Sequence, residues 1–278
     1  MRLKPLECFL LVCVHNSFVC NRYIFSRALH ATSNTSRGGK TKIDMIEATD
    51  LFGKWAKTEG RVEKMAAGHT PAVNEMLTRL VTYLKGYAPT SSKTDLRFLD
   101  VGCGSGWVCR KILDPDTYGD MFGVYRGIDG SSDMILKAKA ENDNEACSFQ
   151  QADLTVWPLP SEGDLFDVAF SMECLYYLKP EEISVFLKKL SSRVIKTGGV
   201  LIFGIDHYEE NLQCHGWAEL NNCHMTLWKS HRWKEAVNEA GFEIIDMWRA
   251  AKRDDMAEGT LVIMARNEKS SNVVSEEL

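Results

Sequence analysis

The feature that most constrains this chain is an alternation. From Arg97 onward, seven apolar runs of strand length (97–101, 124–129, 147–153, 166–172, 199–206, 242–248 and 260–266) are separated by stretches with helical spacing. That order predicts an open α/β sheet, because parallel strands need the crossovers that helices supply. The helical stretches are WVCRKIL, SSDMILKAKAEN, PEEISVFLKKLSSRVI and SHRWKEAVNEAG, with Ser131 or Ser132 able to cap the second and Pro180 in a first turn of the third. The last two runs are joined only by RAAKRDDMAEG, too short for a crossover helix, so they are expected to pair antiparallel. The expected fold is an open, doubly wound, seven-stranded, mostly parallel sheet with an antiparallel last strand pair. Before it, residues 43–87 read as two helices, with Pro71 opening the second.

Residues 98–107 read FLDVGCGSGW, where an apolar run ends in an acid and glycine then recurs at Gly102, Gly104 and Gly106. Glycine at alternate positions after a strand marks a turn that something approaches closely, since only glycine lacks a Cβ. By itself this pattern also fits an ordinary tight turn.

Of the 278 residues, 45% are hydrophobic and 26% charged, ordinary globular composition with enough apolar content for a sizeable core. The net charge of -5 is unevenly spread: residues 1–42 carry seven basic residues against Glu7, leaving 26 bases and 37 acids for the rest. So acidic a body repels a phosphate backbone, which argues against a nucleic-acid substrate and for a small one. The nine cysteines form no C-x-x-C pair and no disulfide framework, and are read as reduced thiols of a protein that is not secreted. No tight ligand spacing joins His207, His215 and His224 to Cys174, Cys214 and Cys223, so no metal site is expected.

Residues 1–42 have the composition of a mitochondrial presequence, rich in Arg, Ser and Thr and almost free of acids, with Arg27, Leu29 and Thr32 placed as before a matrix-peptidase cut near Arg37. A signal anchor around FLLVCV and an untargeted extension are the alternatives, although His15, Asn16 and Ser17 interrupt any transmembrane span. The resulting division is a targeting or disordered extension (1–42), an N-terminal helical segment and linker (43–95), the sheet domain (96–268) and a tail (269–278).

Taken in order, LDVGCGSG, the acid closing GID, QADL, FDVAFSMECLYYL and IKTGGVLIFG resemble a class I S-adenosylmethionine-dependent methyltransferase of the small-molecule branch. The resemblance covers 95–267 and implies S-adenosyl-L-methionine as cofactor. It also implies that the helix pair around WAKTEGRVEKMAAGH forms a lid. Carried over residue by residue, it places Asp100, Gly102, Cys103, Gly104 and Gly106 around the methionyl group, with main-chain N–H groups meeting its carboxylate. Asp129 would hold the ribose hydroxyls, Asp153 and Leu154 the adenine, Gly130 and Met134 its other wall, and Ser171 the methionine side. The residues also admit plainer readings: Asp100 and Asp129 as strand ends, Cys103 as packing under the turn, and Met134 as core.

Methyl transfer needs an aligned nucleophile, a dry site and a base for the acceptor's proton. His69 leads the candidates because it is expected at a helix junction, where it could equally bridge the two helices. Glu173 and Tyr177 follow the fourth strand and His207 the fifth, while the segment 211–228 is expected to be a substrate-covering loop. Arg61 could clamp a carboxylate or be a solvated charge. SMECLYYL stands where an N-P-P-Y or D-P-P-Y tetrad would be, so oxygen, carbon, sulfur and other nitrogen acceptors stay open. A cofactor-binding scaffold without turnover and, less favoured, an RNA or protein methyltransferase are the competing classes.

Overall fold

The computed structural model describes residues 45–87, 95–114, 116–118, 121–158, 160–161, 164–252 and 258–268. The expected extension and tail, 1–42 and 269–278, lie outside these residues. Seven strands are present among the described residues: β1 Leu96–Val101, β2 Phe122–Asp129, β3 Cys147–Gln151, β4 Phe166–Met172, β5 Ile195–Ile205, β6 Phe242–Ala250 and β7 Thr260–Asn267. The helices are α1 Ala48–Ala56, α2 Arg61–Tyr87, α3 Trp107–Ile112, α4 Ser132–Glu141, α5 Pro180–Lys189, α6 Trp217–Asn221 and α7 Ser230–Glu239.

The strand order is β3-β2-β1-β4-β5-β7-β6. The first five pair in parallel, and β7 runs antiparallel to both β5 and β6. The chain leaves β1 for β2 on one side and returns to β4 on the other, so the loops beyond β1 and β4 diverge there and open a crevice.

Alternation along the strands explains the two cores. Phe98, Val200 and Ile202 face one side with Val73, Met76, Leu77 and Leu80 of α2, while Leu99, Leu201 and Phe203 face the other with Phe186 of α5 and Trp233 of α7. Both faces are covered, which is why the strands read as near-continuous apolar runs. Strand β5 starts at Ile195, ahead of the apolar run, because Phe166 pairs with Ile195 before a register shift to Val168 with Val200.

The N-terminal helices divide differently from the sequence expectation. The break falls at 57–60, where Gly60 has φ +66°, and α2 runs unbroken through Pro71. Burying Val73, Met76, Leu77 and Leu80 is worth about 1.5–3 kcal/mol each. That outweighs the cost of about 3 kcal/mol for an interior proline. The C-terminal half of α2 is therefore part of the sheet's core, and only α1 and the first turns of α2 cover the crevice. His69 accordingly sits inside a helix and not at a junction. Segment 211–228, expected as loop, contains a 3-10 turn at Leu212–Cys214 and the short α6. Among the described residues, no helix is long and apolar enough to cross a membrane.

Candidate active site

A cavity of about 710 Å³ lies beyond the carboxyl ends of β1, β2, β4 and β5. Its first half is the glycine turn. Gly102, Gly104 and Gly106 all have positive φ, at +74°, +53° and +70°. A Cβ on Gly102 would lie 2.4 Å from Cys174 Sγ, whereas one on Gly104 would meet nothing within 4 Å. Gly102 thus lets the β4 loop close on the turn, and Gly104 opens the turn to the cavity.

Four of the turn's N–H groups, those of Gly102, Cys103, Gly104 and Gly106, are committed within the protein, where the sequence reading has main-chain N–H groups meet the methionyl carboxylate. Those of Gly102 and Cys103 donate to the Ile128 carbonyl, that of Gly104 to Asp129 Oδ2 (2.9 Å), and that of Gly106 to the Cys103 carbonyl. Asp129 Oδ1 accepts from Ser131 N (2.8 Å), leaving this half-buried carboxylate rigid, with spare lone pairs at the end of β2. Burial raises its pKa, offset in part by those two donors. Asp100 is buried beneath the turn and accepts from the Tyr125 hydroxyl (2.5 Å). Desolvation pushes its pKa up to about 7, with Asp129 adding to the rise and Tyr125 opposing it.

Asp100, Gly102, Cys103, Gly104, Asp129, Gly130, Asp153 and Leu154 all line the cavity. Three other expected residues do not. Gly106 starts α3, where a Cβ would strike the Phe149 ring at 2.7 Å. Met134 is fully buried and its N–H is capped by Ser131 Oγ (3.4 Å). Ser171 is buried, its hydroxyl donating to the Val101 carbonyl (2.9 Å). Each is packing or helix geometry near the site, not wall.

Helix α1 roofs this half. A Cβ on Gly130 would lie 2.5 Å from Thr49, and one on Gly53 would lie 2.9 Å from Asp133, so both glycines permit close approach. A Lys57–Asp133 ion pair (2.8 Å) adds a tie from α1's C-terminal end to α4. On the other side Ile46 bridges Cys223, with its N–H donating to the Asn222 carbonyl (2.8 Å).

The second half gathers His69, Glu173, Tyr177 and His207, all expected from the sequence, and adds Asp206, Phe52, Trp55 and Trp217. His69 Nδ1 is 4.0 Å from Asp206 Oδ2, and Asp206 Oδ1 accepts from the Thr260 hydroxyl (2.6 Å). His207 Nδ1 is 3.2 Å from the Cys214 carbonyl, which can only accept, so Nδ1 carries the proton and Nε2 is the basic nitrogen of the neutral ring. Burial lowers the His207 pKa, favouring that neutral ring.

Glu173 is an anchor. Its backbone has φ +57°, and its carboxyl accepts from the Tyr176 hydroxyl (2.8 Å) and Asp206 N (2.5 Å), tying the β4 loop to the end of β5. Burial and the neighbouring Asp206 raise its pKa well above the carboxylate range. Tyr177 is likewise raised by burial, so its phenol stays protonated. Arg61 lies 4.2 Å over the Trp55 ring and does not line the cavity, which removes it as a carboxylate clamp. His215 and Trp228 are also outside the cavity wall.

Asp206 was legible in principle, being the acid that closes GVLIFGID as Asp100 and Asp129 close theirs. Phe52 and Trp55 gave no signal, because aromatic residues in an amphipathic helix read as core.

A sequence model described as a methyltransferase domain matches residues 71–247 of the chain. Among curated proteins, a malonyl-[acyl-carrier protein] O-methyltransferase of Paenibacillus is 25% identical over 165 residues, 55% of this chain and 57% of that protein. A ubiquinone biosynthesis O-methyltransferase of Brucella ovis is 24% identical over 159 residues, 55% of this chain and 60% of that protein. The matched region thus spans less than two thirds of either relative. Among solved structures, a methyltransferase complexed with the Trm112 methyltransferase activator of Haloferax volcanii aligns with TM-score 0.64 at 26% identity, over 78% of this chain and 98% of that one. The N-methyltransferase NodS of Bradyrhizobium japonicum, in complex with S-adenosyl-l-homocysteine, aligns with TM-score 0.60 at 16% identity, over 81% and 100%.

Proposed function

Because the chain belongs to the class I S-adenosylmethionine-dependent methyltransferases, we propose that it transfers a methyl group from S-adenosyl-L-methionine to a small-molecule acceptor in the second half of the cavity. The observation that carries this reading is the continuity of one cavity from the glycine turn and Asp129 to His69, Asp206 and His207. Its volume of about 710 Å³ lies within the usual range for small-molecule sites, about 300–1,000 Å³.

The residues fit the cofactor. Asp129, fixed by two backbone donors, has the lone pairs to accept from both ribose hydroxyls. Asp153 and Leu154 would border the adenine, and Asp100 the methionyl ammonium, with the open face of Gly104 giving backbone access. When bound, the cofactor supplies a sulfonium methyl group that departs by in-line displacement. The chain's own contribution is to exclude water, orient the acceptor and take its proton. His207 Nε2 and the His69–Asp206 pair are the groups proposed for that last task.

A catalytically silent scaffold, the alternative, gives no reason for a cavity that continues past the turn to three histidines, His69, His207 and His224. The basic residues 1–42 are the basis for proposing mitochondrial import, testable by imaging the tagged full chain against one lacking those residues.

The deciding experiment is calorimetric titration with S-adenosylmethionine and S-adenosylhomocysteine. Asp129→Ala is expected to weaken both by at least about tenfold, roughly 1.4 kcal/mol. Wild-type protein that is folded yet binds neither would remove the reading.

A further inference from the structure

We propose that the methyl acceptor is a planar aromatic molecule, methylated on a hydroxyl or amino group and carrying no carboxylate or phosphate. This rests on the methyltransferase reading above and specifies its second site.

Six rings line that half of the cavity as a connected wall. Trp217 meets Trp55 at 6.2 Å between centroids, Trp55 meets Phe52 at 5.0 Å, Phe52 meets Tyr177 at 5.4 Å, Tyr177 meets Tyr176 at 4.6 Å, and Tyr176 meets His207 at 5.4 Å. They come from α1, the β4 loop, the β5 loop and α6, so the wall exists only in the folded chain. Phe52, Trp55, Tyr177 and Trp217 are half-buried and retain exposed surface. Rigid aromatic surface of this extent favours a flat apolar partner at small entropic cost.

The charges narrow the class. No arginine lines the cavity among the described residues. The one lysine on its wall, Lys179, is exposed and lies 3.8 Å from Glu182. Beside the aromatic wall stand the carboxyls of Asp206 and Glu173, with His69 Nδ1 4.0 Å from Asp206 Oδ2 and the rings of His207 and His224 on the same wall. An acceptor carboxylate or phosphate would enter next to Asp206 with no guanidinium to pair it and with the wall's ammonium, Lys179, already facing Glu182, and a poorly paired charge there is unfavourable. A hydroxyl or amine meets no such obstacle. Its lone pair forms the new bond to the methyl carbon while the carbon–sulfur electron pair returns to sulfur as a neutral thioether. The acceptor's proton passes to an imidazole.

The test uses the full chain saturated with S-adenosylhomocysteine, titrated with 5-hydroxyindole, serotonin and 5-hydroxyindole-3-acetate. These share a ring and a hydroxyl and differ in charge. A malonyl thioester serves as the aliphatic carboxylate probe. The neutral or cationic indole is expected to bind at least tenfold tighter than either carboxylate. Trp217→Ala and Phe52→Leu should each weaken it about tenfold while leaving S-adenosylhomocysteine binding intact, which also reports that the variants are folded. Equal or tighter binding of a carboxylate, or failure of every indole to bind a chain that holds S-adenosylhomocysteine, overturns the proposed class. Failure of S-adenosylhomocysteine to bind strikes the underlying methyltransferase reading instead.

Discussion

At the scale of single residues, Asp100 connects stability to pH. Its pKa is raised from 3.8 to about 7 because burial disfavours the carboxylate. The folded state therefore holds a proton that the unfolded chain has released between those values. Its contribution to stability is full below pH 3.8, is lost as pH rises and is gone above about 7. Asp100→Asn keeps an acceptor for Tyr125 but removes the charge. It is expected to raise the Tm of the cofactor-free protein most at pH 8, less at pH 5 and hardly at all below pH 3.8, as read by thermal melts. The same variant should bind S-adenosylmethionine more weakly, since the carboxylate's proposed partner is an ammonium. At the second site, Asp206→Asn should lower kcat by about 10²–10⁴, the usual contribution of positioned acid–base groups. Thr260→Val, which removes the hydroxyl donating to Asp206 Oδ1, should lower it less, while Thr260→Ser restores it. An unchanged kcat in Asp206→Asn would remove Asp206 from the chemistry.

At the scale of elements, the turn between β1 and α3 separates two uses of glycine. Gly102→Ala places a methyl group against Cys174 in a left-handed conformation that alone costs about 1–2 kcal/mol, so denaturant melts should show a large loss of stability. Gly104→Ala carries the conformational cost without the clash, and its methyl group enters open space. It should remain folded yet bind S-adenosylhomocysteine more weakly. Helix α2 offers a converse case. Pro71→Ala restores an N–H inside the helix and should stabilise the protein by about 2 kcal/mol, after allowance for the looser unfolded chain. A loss of stability there would mean that the proline is matched to a local bend.

At the scale of the molecule, one sheet carries a core half and a covering half of the same N-terminal segment. Hydrogen exchange should show α1 gaining protection when S-adenosylhomocysteine binds, whereas Val73–Leu80 of α2 stays protected throughout. Equal gains in both would mean that the whole pair moves as a lid. Most of this architecture was legible beforehand. Strand positions, the antiparallel β7 and the Asp100, Asp129 and Asp153 series follow from local alternation, loop length and strand-end acids, which depend on neighbours in sequence. The sequence by itself therefore determined the sheet, its switch point and the strand-end acids that line the cavity. Only the tertiary structure decided that Pro71 is bridged, that Met134 and Ser171 are packing, that the N–H groups of Gly102, Cys103, Gly104 and Gly106 are already engaged, and that six rings and Asp206 share one wall. Those outcomes are set by contacts between residues far apart in the chain. Burial, hydrogen-bond competition and charge proximity are properties of such contacts and leave no periodic trace in the sequence.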